Sequence, residues 1–292
     1  MHDYLRAIGL SGDKAKKVVE KVIKNIKETS IKRKSDGKCK SNDETYETSA
    51  EMFTGTGIKV IGEMGKRKKM CVDHYFPYVT GNRISGCEEL TFSKRADTNA
   101  YTVMCDDPRI GVSLIFYLQN VLEYITKTTE QGKKDYDIYL SGLSIGAKIL
   151  LPVIDKTDEN SHKETNAKRN NLFKAAKNGE ENAIENLTLE EMDLTTRVIE
   201  RAGREDIMSI ARTSFIPFGS ESDSYTLLAE IDDVRLICNP SSLEEVYVME
   251  LNCNDIPITV SINKKDLIGE PAAKRRFYGT VWLQGKVDFS KK

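Results

Sequence analysis

The strongest constraint on this chain lies between residues 223 and 292, where apolar and polar side chains alternate. In Ile256-Pro257-Ile258-Thr259-Val260-Ser261-Ile262 every second residue is aliphatic, and Val246–Cys253 gathers Tyr247, Met249, Leu251 and Cys253 on one face. Phe277–Leu283 is a third two-faced run. A period of two is the signature of a strand with one face on a core. With a long first strand over Tyr225–Cys238 and a short helix over Lys264–Ile268, the order is long strand, strand, strand, short helix, strand, tail strand. That order suits a five-stranded OB-like barrel, in which a short helix sits between strands three and four. An SH3-like barrel or an open sheet gives nearly the same pattern.

Upstream, the patterning is mixed. Gly57–Glu63 with Met70–Thr80, and Glu89–Lys94 with Ala100–Cys105, predict two hairpins. Arg109–Lys127 is apolar on nearly every side and predicts a helix buried across that sheet, with Asp107 as N-cap and Pro108 in its first turn. Asp137–Leu140 and Lys148–Ile154 are expected to extend the sheet. Asp13–Glu28 reads as an amphipathic helix, and Ile31–Gly57, rich in polar residues and glycine, as a mobile segment with one short helix. A helix over Lys168–Lys177 should stop at Asn178-Gly179, and Thr188-Leu189-Glu190-Glu191 has the spacing of a capping box opening a helix to Gly203. The expectation is an α+β protein in three parts: an N-terminal domain with a mixed antiparallel sheet (1–155), a helical connector (156–215) and a C-terminal small β barrel (216–292).

Composition narrows the function classes. The chain has 292 residues, 39% hydrophobic and 30% charged, with a net charge of −1, so no global field recruits nucleic acid or anionic membrane. Its basic stretch, eleven Lys/Arg against three acids between Lys14 and Lys40, reads as the solvated face of a docked helix. The longest apolar run, near Val112–Leu118, is far short of the ~20 residues a spanning helix needs. The opening residues lack the order of a secretion signal, and the six cysteines are dispersed, which fits reduced thiols in a cytoplasmic bacterial protein without membrane contact.

Gly142-Leu143-Ser144-Ile145-Gly146 matches the Gly-x-Ser-x-Gly elbow of serine hydrolases. The next residues, Ala147–Pro152, read as strand rather than helix, and the histidine downstream, His162, lies in a charged connector, so a triad lacks its parts. Cys71 and His74 make one Cys-x-x-His pair on a strand, too little for zinc and pointing to opposite faces by strand parity. No phosphate loop or cofactor motif is present. One constellation stands out: Lys274-Arg275-Arg276-Phe277-Tyr278-Gly279-Thr280-Val281-Trp282 interleaves cations and aromatics. If Phe277, Val281 and Leu283 face the core, Arg276, Tyr278 and Trp282 share the other face, as single-strand stacking platforms do. Against that, residues 225–292 carry nine basic and ten acidic residues.

Several strings resemble a bacterial family of unknown function found mainly in Gram-positive anaerobes: Met1–Gly9, Tyr75-Phe76-Pro77-Tyr78, Gly111–Asn120, Asn263–Pro271 and Arg275–Gly285. The likeness runs the full length and implies one shared architecture, with no activity, cofactor or catalytic residue attached to it. The function therefore stays unknown at this level. The leading expectation is a non-enzymatic binding or scaffold protein with a protein partner. Single-stranded nucleic-acid binding through Arg275, Arg276, Tyr278 and Trp282 is the alternative, and a serine hydrolase at Ser144 the third.

Overall fold

Fifteen strands carry the architecture of the computed structural model. It describes residues 2–25, 31–34, 44–64, 70–96, 98–107, 109, 112–127, 135–153, 168, 171–172, 175–176, 179–189, 192, 211–219 and 222–290. A 3-10 segment, Asp3–Ile8, and helix α1 (Gly12–Asn25) lead into β1 (Ile31–Lys34), β2 (Glu44–Phe53), β3 (Thr56–Met64) and β4 (Met70–Val79). Then come β5 (Gly86–Glu89), β6 (Thr91–Lys94), β7 (Tyr101–Asp107), β8 (Val112–Leu118), helix α2 (Val121–Lys127) and β9 (Asp135–Leu150). The C-terminal part holds β10 (Ser214–Pro217), β11 (Ser224–Cys238), β12 (Glu245–Cys253), β13 (Ile256–Asn263), β14 (Leu267–Ile268) and β15 (Arg276–Asp288). A 3-10 turn, Lys264–Asp266, sits between β13 and β14, where the short helix was expected.

The fold is α+β, mostly strand, with a closed five-stranded barrel. β1 to β4 form one antiparallel sheet. In the other, β11 pairs with β12, β12 with β13, β13 with β9, β9 with β15, and β15 returns to β11. The ring has one parallel pair, β13 with β9. The barrel expected from 216–292 alone thus takes its fifth strand from Asp135–Leu150, and no tail strand follows β15 among the described residues. This strand order is that of an OB barrel whose last strand has moved to the front of the chain. Beyond the barrel, β15 runs on to pair with β8, which carries β7 and β6.

Register separates the two faces. Ser144 stands opposite Ile262 and Val281, and Gly142 opposite Val260 and Leu283. The alternate set is Leu143 with Ser261 and Trp282. Ser261 donates to the Ala7 carbonyl, so this second set faces outward, under the N-terminal segment, and the first set lines the barrel. The polar face of β13 is therefore buried rather than wet. Thr259 bonds Glu250, Asn239 donates to the Ile8 carbonyl, and Ser242 donates to Gly9. Leu5, Ala7, Ile8 and Leu10 are all buried there. Gly9 makes the turn at φ +78°, and a Cβ on it would lie 2.8 Å from Val246 Cγ2.

Three local expectations change. The helix expected over Arg109–Lys127 begins only at Val121. Val112–Leu118 is strand, because a β-branched and aromatic run with apolar residues on both faces looks alike in either conformation. Asp107 ends β7 and grips Arg109 instead of capping a helix, and α2 takes its capping contact from Glu47, which accepts from Leu122 N–H. The segment expected to be mobile contains β2, whose Thr, Tyr and Phe residues suit a half-exposed strand. Thr188 opens no helix: it lies within the helical residues 181–189, its hydroxyl donating back to the Ile184 carbonyl. The stop at Gly179 holds, with φ +85° and its N–H on the Ala176 carbonyl. The Gly65–Lys69 turn, most of the connector and Cys39 lie outside the described residues.

Candidate functional site

The Gly-x-Ser-x-Gly string resolves first. Ser144 is 0% exposed, mid-strand and inside the barrel, and its hydroxyl bonds Gly146, accepting from its N–H and donating to its carbonyl. Between Ser144 and Ala147 β9 advances three residues while β15 advances two, a bulge that Gly146 eases. A Cβ on Gly142 would meet Val281 Cγ1 at 2.1 Å. The two glycines and the serine thus serve close packing and a bulge, and the hydrolase reading is withdrawn; His162 lies outside the described residues.

The four residues singled out on β15 and just before it are split. Trp282 is 5% exposed, and its indole N–H donates to Asp223 Oδ2 at 3.0 Å. Arg276 is also buried, donating to the carbonyls of Leu151 (2.9 Å) and Ala211 (2.5 Å). These two face packed protein. Arg275 and Tyr278 stay partly open, Arg275 donating to the Glu270 carbonyl at 2.6 Å. The residue joined to Tyr278 is one the sequence did not flag: Lys148, whose ammonium lies 5.0 Å above the Tyr278 ring. Lys148 is the register partner of both Tyr278 and Ile268, so the three form one row across β14, β9 and β15. Ile268 is 74% exposed and Leu151, just past β9, 72%. Neither Lys148 nor Arg275 has a carboxylate partner among the described residues.

Trp282 anchors a second arrangement, at the joint between the barrel and the N-terminal strands. Its ring lies 4.8 Å from His2, 5.3 Å from Tyr4 and 5.2 Å from Tyr117. Arg95 sits 5.5 Å over Tyr117 and pairs with Asp223 at 2.7 Å, so Asp223 holds both the guanidinium and the indole. His74 is fixed on both nitrogens: Nδ1 lies 2.8 Å from Asp73 Oδ2 and Nε2 2.9 Å from the Tyr117 hydroxyl. A carboxylate only accepts, so with the ring neutral Nδ1 carries the proton and Tyr117 donates to Nε2. Burial pushes the Tyr117 hydroxyl well above its ordinary value. It is thus an anchored donor rather than a nucleophile.

Sequence parity hid this cluster. Adjacent strand residues diverge, yet Asp73 is an extra residue in β4: Val72 pairs Gly62 and His74 pairs Ile61. The bulge turns the Asp73 carboxylate onto its neighbour's ring, and the same oxygen accepts from Asn99 N–H, fastening the turn that carries Arg95. It also undoes the parity argument that set Cys71 and His74 on opposite faces, since their partners Glu63 and Ile61 stand two apart. Among the described residues no group of three or more His, Cys, Asp and Glu is placed to hold a metal ion.

Comparison with known proteins gives one family. Its model, described as a domain of unknown function from an E. rectale gene description (DUF3881), matches residues 5–285. No curated protein and no solved structure matches the chain.

Proposed function

The chain belongs to this family of unknown function, DUF3881, and from that premise we propose that it is a non-enzymatic binding protein whose contact surface is the outer face of β14, β9 and β15. One observation carries the reading: the register-aligned row Ile268–Lys148–Tyr278, with Leu151 and Arg275 three residues along the chain from Lys148 and Tyr278. Exposed aliphatics at this level, next to cations without carboxylate partners among the described residues, suit a protein segment carrying acidic and aliphatic side chains. The reading is further supported by what covers the barrel elsewhere. OB barrels bind single strands on the face of their second and third strands, and here the matching face, β12–β13, lies under residues 5–10. Nucleic acid is thus the less favoured partner.

No helix among the described residues is long and apolar enough to cross a membrane. Cys71, Cys105, Cys238 and Cys253 are free thiols, which supports a place in the reducing cytoplasm.

The test titrates fluorescently labelled peptides of alternating Glu and Leu, and separately a thymidine oligonucleotide, against the full chain. Saturable peptide binding, lost in Lys148→Glu and Ile268→Asp variants that melt as the parent does, is the expected result. Binding of the oligonucleotide alone, or peptide binding indifferent to both substitutions, overturns the reading.

A further inference from the structure

A separate place on the molecule lacks a partner it is built to have. His2 packs its ring on Trp282 and Tyr4, and its Nδ1 is buried without a hydrogen-bond partner among the described residues. Buried polar atoms in folded proteins are nearly always satisfied, and each orphan asks for a missing group. Arg95, 46% exposed, is joined to the same indole through Asp223, which accepts from both. It spends Nη2 on Asp223 and its ring face on Tyr117. Its remaining N–H groups have no partner among the described residues. Two nearby carboxylates are committed, Asp223 to Arg95 and Trp282 and Asp73 to His74 and Asn99, while Asp3 acts on His2 directly.

We propose that Arg95 and His2 form a binding site for a small oxyanion, a carboxylate or phosphate group, seated at the rim of the Trp282 cluster. The planar guanidinium presents parallel donors that match two oxygens of such a group. The His2 tautomer with hydrogen on Nδ1 supplies a third donor. Trp282 packs on the rings of Tyr4, Tyr117 and His2, and Arg95 on Tyr117, so these contacts hold the donors before the anion arrives, which lowers the ordering cost of binding. Asp3, the N-terminal amine, His74 and Arg95 are the other charged or titratable groups that act on His2. An added anion is therefore read directly in how His2 takes up its proton. The donors Arg95 and His2 are not part of the Lys148 row, so the site stands or falls independently of it.

The experiment follows the His2 ring by NMR during acid titration of the full chain, with sodium phosphate, sodium acetate or neither. The expected result is a His2 midpoint moved upward by one of the anions, with the same titration in Arg95→Gln showing affinity lower by about tenfold. Response to phosphate alone assigns a phosphate site, and response to acetate alone a carboxylate site. A His2→Phe variant keeps the stack and serves as a second check, because calorimetric anion binding must weaken in it while the melting curve is retained. A His2 midpoint indifferent to both anions, as expected if Nδ1 meets only water, overturns the proposal.

Discussion

The carbonyl oxygens of Leu151 and Ala211 accept hydrogen bonds from one guanidinium, that of Arg276, at 2.9 and 2.5 Å. Leu151 follows directly on the barrel strand β9 and Ala211 leads into β10, so a single buried side chain pins both ends of the intervening stretch of chain. The stretch leaves and rejoins the barrel at one point.

Arg276→Met is expected to lower stability by about 2–4 kcal/mol, because two carbonyls lose charge-assisted donors. Replacing residues 155–208 by a Gly/Ser linker of about eight residues should leave the barrel folded, since the ends already meet. Circular dichroism melts of both variants check this; a linker variant that loses its strand signal contradicts it.

The second expectation concerns β15 where it leaves the barrel for β8. A Cβ on Gly285 would lie 2.5 Å from two carbons of the Phe116 ring. Gly285→Ala should cost about 1–3 kcal/mol by overpacking. Adding Phe116→Leu, which vacates that space, should recover part of the loss in a denaturant titration.

Acid should weaken the fold through His2. Burial holds its imidazole down at about 4, against an ordinary 6.5. Between those values the unfolded chain binds the proton and the folded chain does not, so stability falls as pH drops from about 6.5 toward 4. The loss is at most about 3 kcal/mol, reached below pH 4. Substituting His2→Phe should flatten that part of the pH profile, read by thermal melting across the range.

Trp282 is the single tryptophan, enclosed by His2, Tyr4 and Tyr117. Its emission in the native protein should be blue-shifted and poorly quenched by iodide, moving red on unfolding. Strong quenching of native protein would contradict the packing at the joint.

Much of the local structure was readable from residue patterns, and the reasons differ by element. Ile256–Ile262 announces β13 because its alternation has a period of two. Gly179 stops a helix because it alone tolerates the left-handed turn cheaply. The run Val112–Leu118 misled, since apolar residues on both faces erase the period that separates strand from helix. Of the four candidate site residues, Tyr278 lies partly open on the face that strand parity gave it, and Arg275, just before β15, is partly open too. Trp282 and Arg276 have the same parity but meet packed protein. The Asp73–His74 contact could not be anticipated, because a bulge is a property of the strand pair rather than of either strand.

What the sequence determined by itself is which residues share a face: alternation and turn residues are written into each segment and need no partner. Only the tertiary structure decided what each face meets. It drew β9 from more than seventy residues upstream to close the barrel, laid the 3-10 segment over the polar side of β13, and turned Ser144 inward. Pairing and covering are set by long-range packing, in which any apolar strand of suitable length competes, and the register that wins is the one that buries most surface while satisfying its polar atoms.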